Sequence, residues 1–314
     1  MENNKNYNTL TEYYKNKYNK KVAKIALNAN FTCPNKDGKK GFGGCTYCSK
    51  LGSGDTAGDR NLSLKDQFYQ IKEIMDKKWK DLLYIPYLQS NSNTYGSLDK
   101  LKSVYNEILS IKDDRIVGMA IATRPDCFTD EIYNYLEELN KQIPLSIELG
   151  LQTSNEKTAK IINRLSTNEE FIDAVTNLRK RNIEVVAHII NGLPYETEQD
   201  MLNTIDFINQ LDIQGIKFHS LLILKDTQMY EDYLNNPFKI LTLEDYTSIC
   251  VKQIAKLKPS IIIHRLAADG VIDDIVIPKW PIKKLVVMNE IDKLMRKNNI
   301  HQGDNYLNPT IITD

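Results

Sequence analysis

Residues 31–49 read FTCPNKDGKKGFGGCTYCS and place three cysteines, Cys33, Cys45 and Cys48, within sixteen positions. Three thiolates can hold an iron-sulfur cluster while leaving one metal position open, and an open position is a place for chemistry. Cys45 and Cys48 form a C-x-x-C pair, and Gly41, Gly43 and Gly44 let the backbone curl so that amides face cluster sulfurs. A fully ligated electron-transfer cluster normally takes four cysteines, and a structural zinc takes four Cys or His ligands. No fourth ligand stands nearby, since His188, His219, His264 and His301 are all distant in sequence. A redox dithiol would not need the upstream Cys33, and a zinc knuckle would have to borrow one of those histidines. The open-site cluster is the favoured reading.

Working outward, the cysteine loop directly follows an apolar run at about 22 to 28 (VAKIALN), and similar runs recur at about 82 to 88, 116 to 122, 144 to 151, 183 to 190 and 214 to 223. Helical periodicity fills the gaps: about 63 to 79, 97 to 111, 129 to 141, 155 to 181 with a break near Ser166 to Asn168, and 197 to 210. Thr129 with Glu131, and Thr197 with Asp200, suit helix starts, because a hydroxyl accepts from orphan amides and acids favour the first turn. Strand then helix, repeated, implies an α/β fold with a parallel sheet and right-handed crossovers. Six units are too few for a closed eight-stranded barrel and equally compatible with a doubly wound sheet. In both, ligands gather at the carboxyl ends of the strands, where the cysteine loop lies. A further helix is expected at 242 to 257, a strand at 260 to 267 and a closing helix at 281 to 298. No linker divides the chain, so a single domain is expected over 1–314, with a core at about 22–225 and a C-terminal extension at about 240–314.

The 314 residues carry 41 basic and 41 acidic side chains, so any nucleic-acid contact has to come from a local patch rather than from net charge. Residues 13 to 24, YYKNKYNKKVAK, interleave tyrosine with lysine, and Lys279, Lys283, Lys284, Lys293, Arg296 and Lys297 form a second basic stretch. A solvated helix face is the plain alternative for either. No apolar stretch has signal-peptide or membrane-span length, and five cysteines with three clustered do not form a disulfide framework; a cytoplasmic location is expected.

Polar groups collect at the strand ends, in QSNSNTYG (89–96), TRPDC (123–127), ELGLQT (148–153), HIINGLP (188–194) and KFHSLLILKDT (217–227). Burying such groups unpartnered costs about 1 to 3 kcal/mol each, so their convergence points to a polar ligand. Taken singly, Glu148 or Arg124 reads as half of an ion pair, and His219 as a core histidine.

The cysteine loop, ELGLQT, IINRLS (161–166) and HIINGLPYET (188–197) together resemble the radical S-adenosylmethionine (radical SAM) superfamily, and within it small bacterial proteins related to the catalytic subunit of elongator. The likeness spans roughly residues 7 to 285. It implies a partial (βα)6 TIM-like barrel with short terminal extensions, and a 4Fe-4S cluster on Cys33, Cys45 and Cys48. S-adenosyl-L-methionine would chelate the fourth iron, and an electron donor such as flavodoxin or ferredoxin would start radical chemistry. By the same resemblance Gln152 and Arg164 are cofactor residues, with Arg164 placed to pair with the cofactor's carboxylate, and Glu148 and His188 are candidates for ribose or adenine contacts. The second strand normally ends in a glycine-rich turn, and here Gln89, Asn91 and Asn93 stand in its place. Arg124, Asp126, Lys217 and His219 are expected at the substrate, and Cys127 as a thiol beside the radical site or a merely buried one. Kinship with elongator implies transfer RNA as partner and conversion of carboxymethylaminomethyl-uridine to aminomethyl-uridine at the wobble position. Radical chemistry on a small metabolite or protein side chain is the alternative enzyme, and a zinc-stabilised binding module the non-enzymatic one.

Overall fold

All six predicted core strands run parallel in the computed structural model, which describes residues 5–49, 52, 57–268 and 270–307. They are β1 (Val22–Leu27), β2 (Leu83–Leu88), β3 (Met119–Thr123), β4 (Leu145–Gln152), β5 (Glu184–Asn191) and β6 (Gly215–Ser220). The order in space is the order in sequence, and a seventh parallel strand follows β6 at the edge: β8 (Ile262–Arg265). A doubly wound sheet reverses its order midway. This one never does, so the sheet curls into an open partial barrel.

The connecting helices are α2 (Leu64–Lys78), α3 (Leu98–Leu109), α4 (Asp130–Gln142), α5 (Glu156–Ile161), α6 (Asn168–Lys180) and α7 (Glu198–Asn209). Thr129 accepts from the Ile132 amide at the start of α4, and Thr167 and Thr197 form capping boxes with Glu170 and Asp200. The Thr167 box explains why the predicted 155–181 helix is two helices. Phe68, Leu101, Leu136, Phe171 and Ile205 from these helices share one core with Ile121, Ile147, Leu149, Val185 and Ile216 from the strands. Alternation then turns Glu148, Gly150, His188, Lys217 and His219 to the barrel interior. The C-terminal helices α9 (Leu243–Lys256) and α10 (Lys284–Lys297) join the same core through Tyr246, Ile254, Val287 and Ile291.

Three features escape the sequence reading. The predicted 214–223 strand stops at Ser220, and Ile223–Leu224 (β7) pairs antiparallel with Ile275–Ile277 (β9) in a small second sheet. Helix α8 (Gln228–Asn235) follows β7. The third is α1 (Leu10–Tyr18), which carries the tyrosines read as an RNA-contact patch. Its tyrosines are occupied by packing: Tyr14 is buried against Ile85, Tyr87 and Ala120, and Tyr13 and Tyr18 pack beside it, with the Tyr13 hydroxyl 3.2 Å from Glu184, while Lys15, Lys17, Lys20 and Lys21 stay exposed. These rings close the barrel floor, at the end opposite the cysteine loop. No helix among the described residues is long and apolar enough to cross a membrane.

Candidate active site

The loop after β1 holds its shape through its own backbone. The Lys36 amide donates to Cys33 O at 2.8 Å, Gly44 to Asn35 O at 2.7 Å and Cys48 to Cys45 O at 3.0 Å. Gly43 and Gly44 sit at φ +80° and +87°, the left-handed region where a side chain is strained. The IINRLS segment grips this loop from the other side. Thr46 N donates to Ile162 O at 3.0 Å, Asn163 Nδ2 to Gly44 O at 2.8 Å, and Asn35 Nδ2 to Asn163 O at 2.6 Å and to Cys45 Sγ at 3.6 Å. A hydrogen bond from the Cys48 thiol, helped by the nearby Arg124 charge, outweighs burial and holds the Cys45 thiol down at about 6, while Cys48 is pushed well up in exchange. Among the described residues, no three His, Cys, Asp or Glu side chains are grouped so that they could hold a metal ion. A cubane cluster makes a different demand, because each thiolate takes its own iron.

Arg124, at the end of β3, donates bidentately to Asp126 at 2.9 and 2.8 Å and to Arg164 O at 2.8 Å. Lys40 of the cysteine loop reaches the same Asp126 carboxylate at 2.8 Å. The Arg124 guanidinium is thereby fixed beside the sulfurs, tied to two loops at once.

Deeper in the barrel lies a charged hub. The Glu148 carboxylate, buried at 1 % exposure, meets Lys24 at 2.5 Å, His188 Nε2 at 2.8 Å and the Lys217 amine. Lys217 Nζ also lies 3.4 Å from the Tyr87 hydroxyl and 4.6 Å over its ring. The two lysines, with His188 donating, keep Glu148 ionised well below the usual carboxylate range although burial opposes it. Burial, with Lys24 nearby, lowers Lys217 to about 7 against the pull of Glu148, and burial beside Lys217 lowers His188 to about 4. His219, whose ring centroid is 5.2 Å from that of His188, is driven well below its ordinary value by burial, and its Nε2 has no hydrogen-bond partner among the described residues.

One cavity of about 260 Å³ joins the two regions, lined by Cys33, Cys45, Cys48, Gln89, Asn91, Arg124, Glu148, Gln152, His188, Lys217 and His219. A register shift between Gly150 and Gln152 bulges the end of β4, and Gln152, at φ +61°, folds its amide over Gly150. A Cβ at Gly150 would lie 2.5 Å from Gln152 Nε2, the far end of a flexible side chain that a rotamer change moves aside.

Four expected site residues lie outside that lining, Asp126 among them, its carboxylate taken by Arg124 and Lys40. Arg164 is 1 % exposed, and its guanidinium spans Ser166 O at 2.7 Å, Leu151 O at 2.7 Å, Thr153 O at 2.6 Å, Asn168 at 3.2 Å and Glu156 at 3.5 Å. Every donor is spent on protein, so pairing with a cofactor carboxylate is corrected to a structural clasp that pins the end of β4 to the loop gripping the cysteines. Asn93 is fully buried and ties the ends of β2 and β3 through Leu88 O, Ser90 O and Ala122 O at 3.3, 3.1 and 2.9 Å. Cys127 is buried with its thiol 3.8 Å from Asp126, and burial beside that carboxylate pushes it far up. Neither meets the cavity. Glu148 lines it, with its carboxylate shared by Lys24, His188 and Lys217. Sequence reasoning missed Tyr87 and Arg265 and put Lys24 in a surface run; for Lys24 and Arg265 the available signal was a charge inside an apolar strand, in VAKIAL and IIHR.

Comparison with known proteins is consistent across sequence and fold. Residues 38–208 match the Radical SAM superfamily and residues 213–297 its C-terminal domain. The uncharacterized protein YtqA of Bacillus subtilis is 41% identical over 95% of this chain and 92% of its own length. A tRNA-2-methylthio-N(6)-dimethylallyladenosine synthase of Fusobacterium nucleatum is 26% identical over 59% of this chain, which spans only 42% of that protein. Among solved structures, the archaeal Elp3 of Methanocaldococcus infernus superposes with a TM-score of 0.65 at 17% identity, over 90% of this chain and 64% of Elp3. The chain thus spans less than two thirds of that structure.

Proposed function

This chain belongs to the radical SAM superfamily of enzymes, and from that premise we propose that Cys33, Cys45 and Cys48 hold its 4Fe-4S cluster and that the barrel receives the wobble uridine of a transfer RNA. The superfamily's cofactors are that cluster and S-adenosylmethionine. Bound together they supply radical hydrogen abstraction, driven by one electron from an external reductant. The observation that carries the reading is that three thiols, several amide side chains and a buried basic hub open on one cavity at the carboxyl end of parallel strands.

Each group has a task within it. The hydrogen bond from Cys48 lowers the Cys45 thiol and so favours the thiolate, the form a metal binds. Asn35 and Asn163 hold the loop in place around it. Gln89, Asn91 and Gln152 offer amides to the polar ends of the cofactor, and Arg124 lends positive charge beside the sulfurs. Glu148 fixes His188 and Lys217 in orientation, and Tyr14 and Tyr87 close the floor against water, which a reactive radical requires. We read residues 1–314 as one domain, because β8, α9 and α10 complete the same sheet and core as β1 to β6.

The substrate rests on resemblance: to bacterial proteins associated with carboxymethylaminomethyl-uridine, and to a relative whose name is that of a tRNA-modifying synthase. Removal of the carboxymethyl group would begin at the carbon beside the amine, where nitrogen stabilises the radical. The test compares nucleosides in transfer RNA from cells with and without the protein. Accumulated carboxymethylaminomethyl-uridine with depleted aminomethyl-uridine is the expected result, and an unchanged profile overturns the RNA reading.

A further inference from the structure

Asn35 is fully buried inside the cysteine loop, and its side-chain amide is fully committed. Nδ2 carries two hydrogens, and both have acceptors: Asn163 O at 2.6 Å and Cys45 Sγ at 3.6 Å. The amide cannot be turned over, since its oxygen would then meet the Asn163 carbonyl oxygen at 2.6 Å. Oδ1 instead faces Gly41, where a Cβ would come within 2.6 Å of it. The backbone is held as firmly, with Gly44 N donating to Asn35 O at 2.7 Å and Asn163 Nδ2 to Gly44 O at 2.8 Å. Holding the loop uses the bond to Asn163, and the second hydrogen is left aimed at a sulfur. Among the described residues no side-chain amide donates to Cys33 or Cys48, so the contact singles out Cys45.

We infer that Asn35 is a positioning residue that raises the reduction potential of the cluster through its hydrogen bond to the Cys45 sulfur. The inference rests on the reading above that Cys45 is a cluster ligand. Taking up one electron adds negative charge that spreads onto the ligating sulfurs, and an N–H aimed at one of them stabilises the reduced form more than the oxidised one. Asn35 is buried, so water does not screen the contact. An amide pinned by Asn163 O is already in place when the charge arrives and has nothing to reorient. The loop thereby makes the electron easier to accept from the external reductant, without Asn35 touching substrate or cofactor.

The test is a potentiometric titration of the anaerobically reconstituted protein without S-adenosylmethionine, followed by the electron paramagnetic resonance signal of the reduced cluster. Asn35→Leu keeps the volume and excludes water but removes the donor. It is expected to carry about four irons per chain, as the wild type does, while its reduction equilibrium shifts about tenfold toward the oxidised form, about 59 mV more negative for a one-electron couple. A role confined to holding the loop would lower the melting temperature or the iron content and leave the potential of the clusters that do form unmoved; that result overturns the proposal. Where Asn35→Leu fails to fold or to load, the unaltered protein decides. Made with asparagine carrying heavy nitrogen in its side-chain amide, it should show coupling of the label to the reduced cluster, and the coupling should persist in Asn91→Gln, which removes the asparagine that lines the cavity. No coupling, or coupling lost in Asn91→Gln, overturns the proposal. Wild-type protein that takes up no cluster refutes the cysteine reading and this inference together, whereas a cluster that loads normally and whose potential ignores Asn35 refutes this inference alone.

Discussion

Arg164→Met separates two roles that one arginine cannot hold together. In the structure the guanidinium makes three short bonds, to Ser166 O at 2.7 Å, Leu151 O at 2.7 Å and Thr153 O at 2.6 Å, from a side chain that is 1 % exposed. Hydrogen bonds to a charged donor contribute about 1.5 to 3 kcal/mol each, and removing the donor strands the carbonyls. The three share one side chain and are not additive, so about 3 to 5 kcal/mol of lost stability is expected. At about 1.5 °C per kcal/mol for a chain of this size, the melting temperature of the metal-free protein should fall by about 5 to 8 °C. Lysine cannot span three carbonyls with a compact ammonium, so Arg164→Lys should recover only part of the loss. Thermal unfolding is measured on the metal-free chain and cofactor binding on the loaded one. An unchanged melting temperature with a sharp loss of S-adenosylmethionine affinity would refute the clasp and restore the pairing expected from sequence.

Tyr14→Ala should cost about 3 kcal/mol by opening the barrel floor, and should leave the salt dependence of any transfer RNA binding unaltered in filter assays; a flattened salt dependence with normal stability would return α1 to the RNA. Cys127→Ala should retain wild-type iron content and cofactor cleavage, since the thiol faces Asp126 outside the cavity; loss of either places it at the site. Glu196 hydrogen bonds with Thr153 at 2.5 Å, and burial raises its carboxyl from 4.5 to about 7. The folded state therefore binds this proton more tightly than the unfolded chain, and the stability it confers is present below about 4.5 and lost as pH rises through about 7. Urea midpoints followed across that window should decline in the wild type relative to Glu196→Gln, and parallel curves would show that Glu196 is not the titrating group.

The barrel was legible because strands, caps and the cysteine loop are each written in local sequence. Thr129, Thr167 and Thr197 announce helix starts by residue type alone, and the apolar runs need only be long enough. Direction was harder to read. Asn163 and Leu165 both adopt left-handed backbone, φ +52° and +56°, around Arg164, and no pattern of residue types reveals how its side chain is then aimed. Lys24 counted as part of a surface charge run until strand alternation placed it against Glu148. Helix α1 mixes tyrosine with lysine and has little apolar stripe, so its burial becomes visible only once a barrel floor exists to receive Tyr14. Strands β7 and β9, of two and three residues, are too short to carry a periodicity.

The central claim is that Cys33, Cys45 and Cys48 hold an open-site cluster at the mouth of this barrel. Anaerobically reconstituted and reduced protein should carry about four irons per chain and split S-adenosylmethionine into methionine and 5'-deoxyadenosine. Alanine at any one of the three cysteines should abolish the cleavage. Protein that purifies colourless with zinc, or an intact cluster that leaves the sulfonium uncut, would contradict the account.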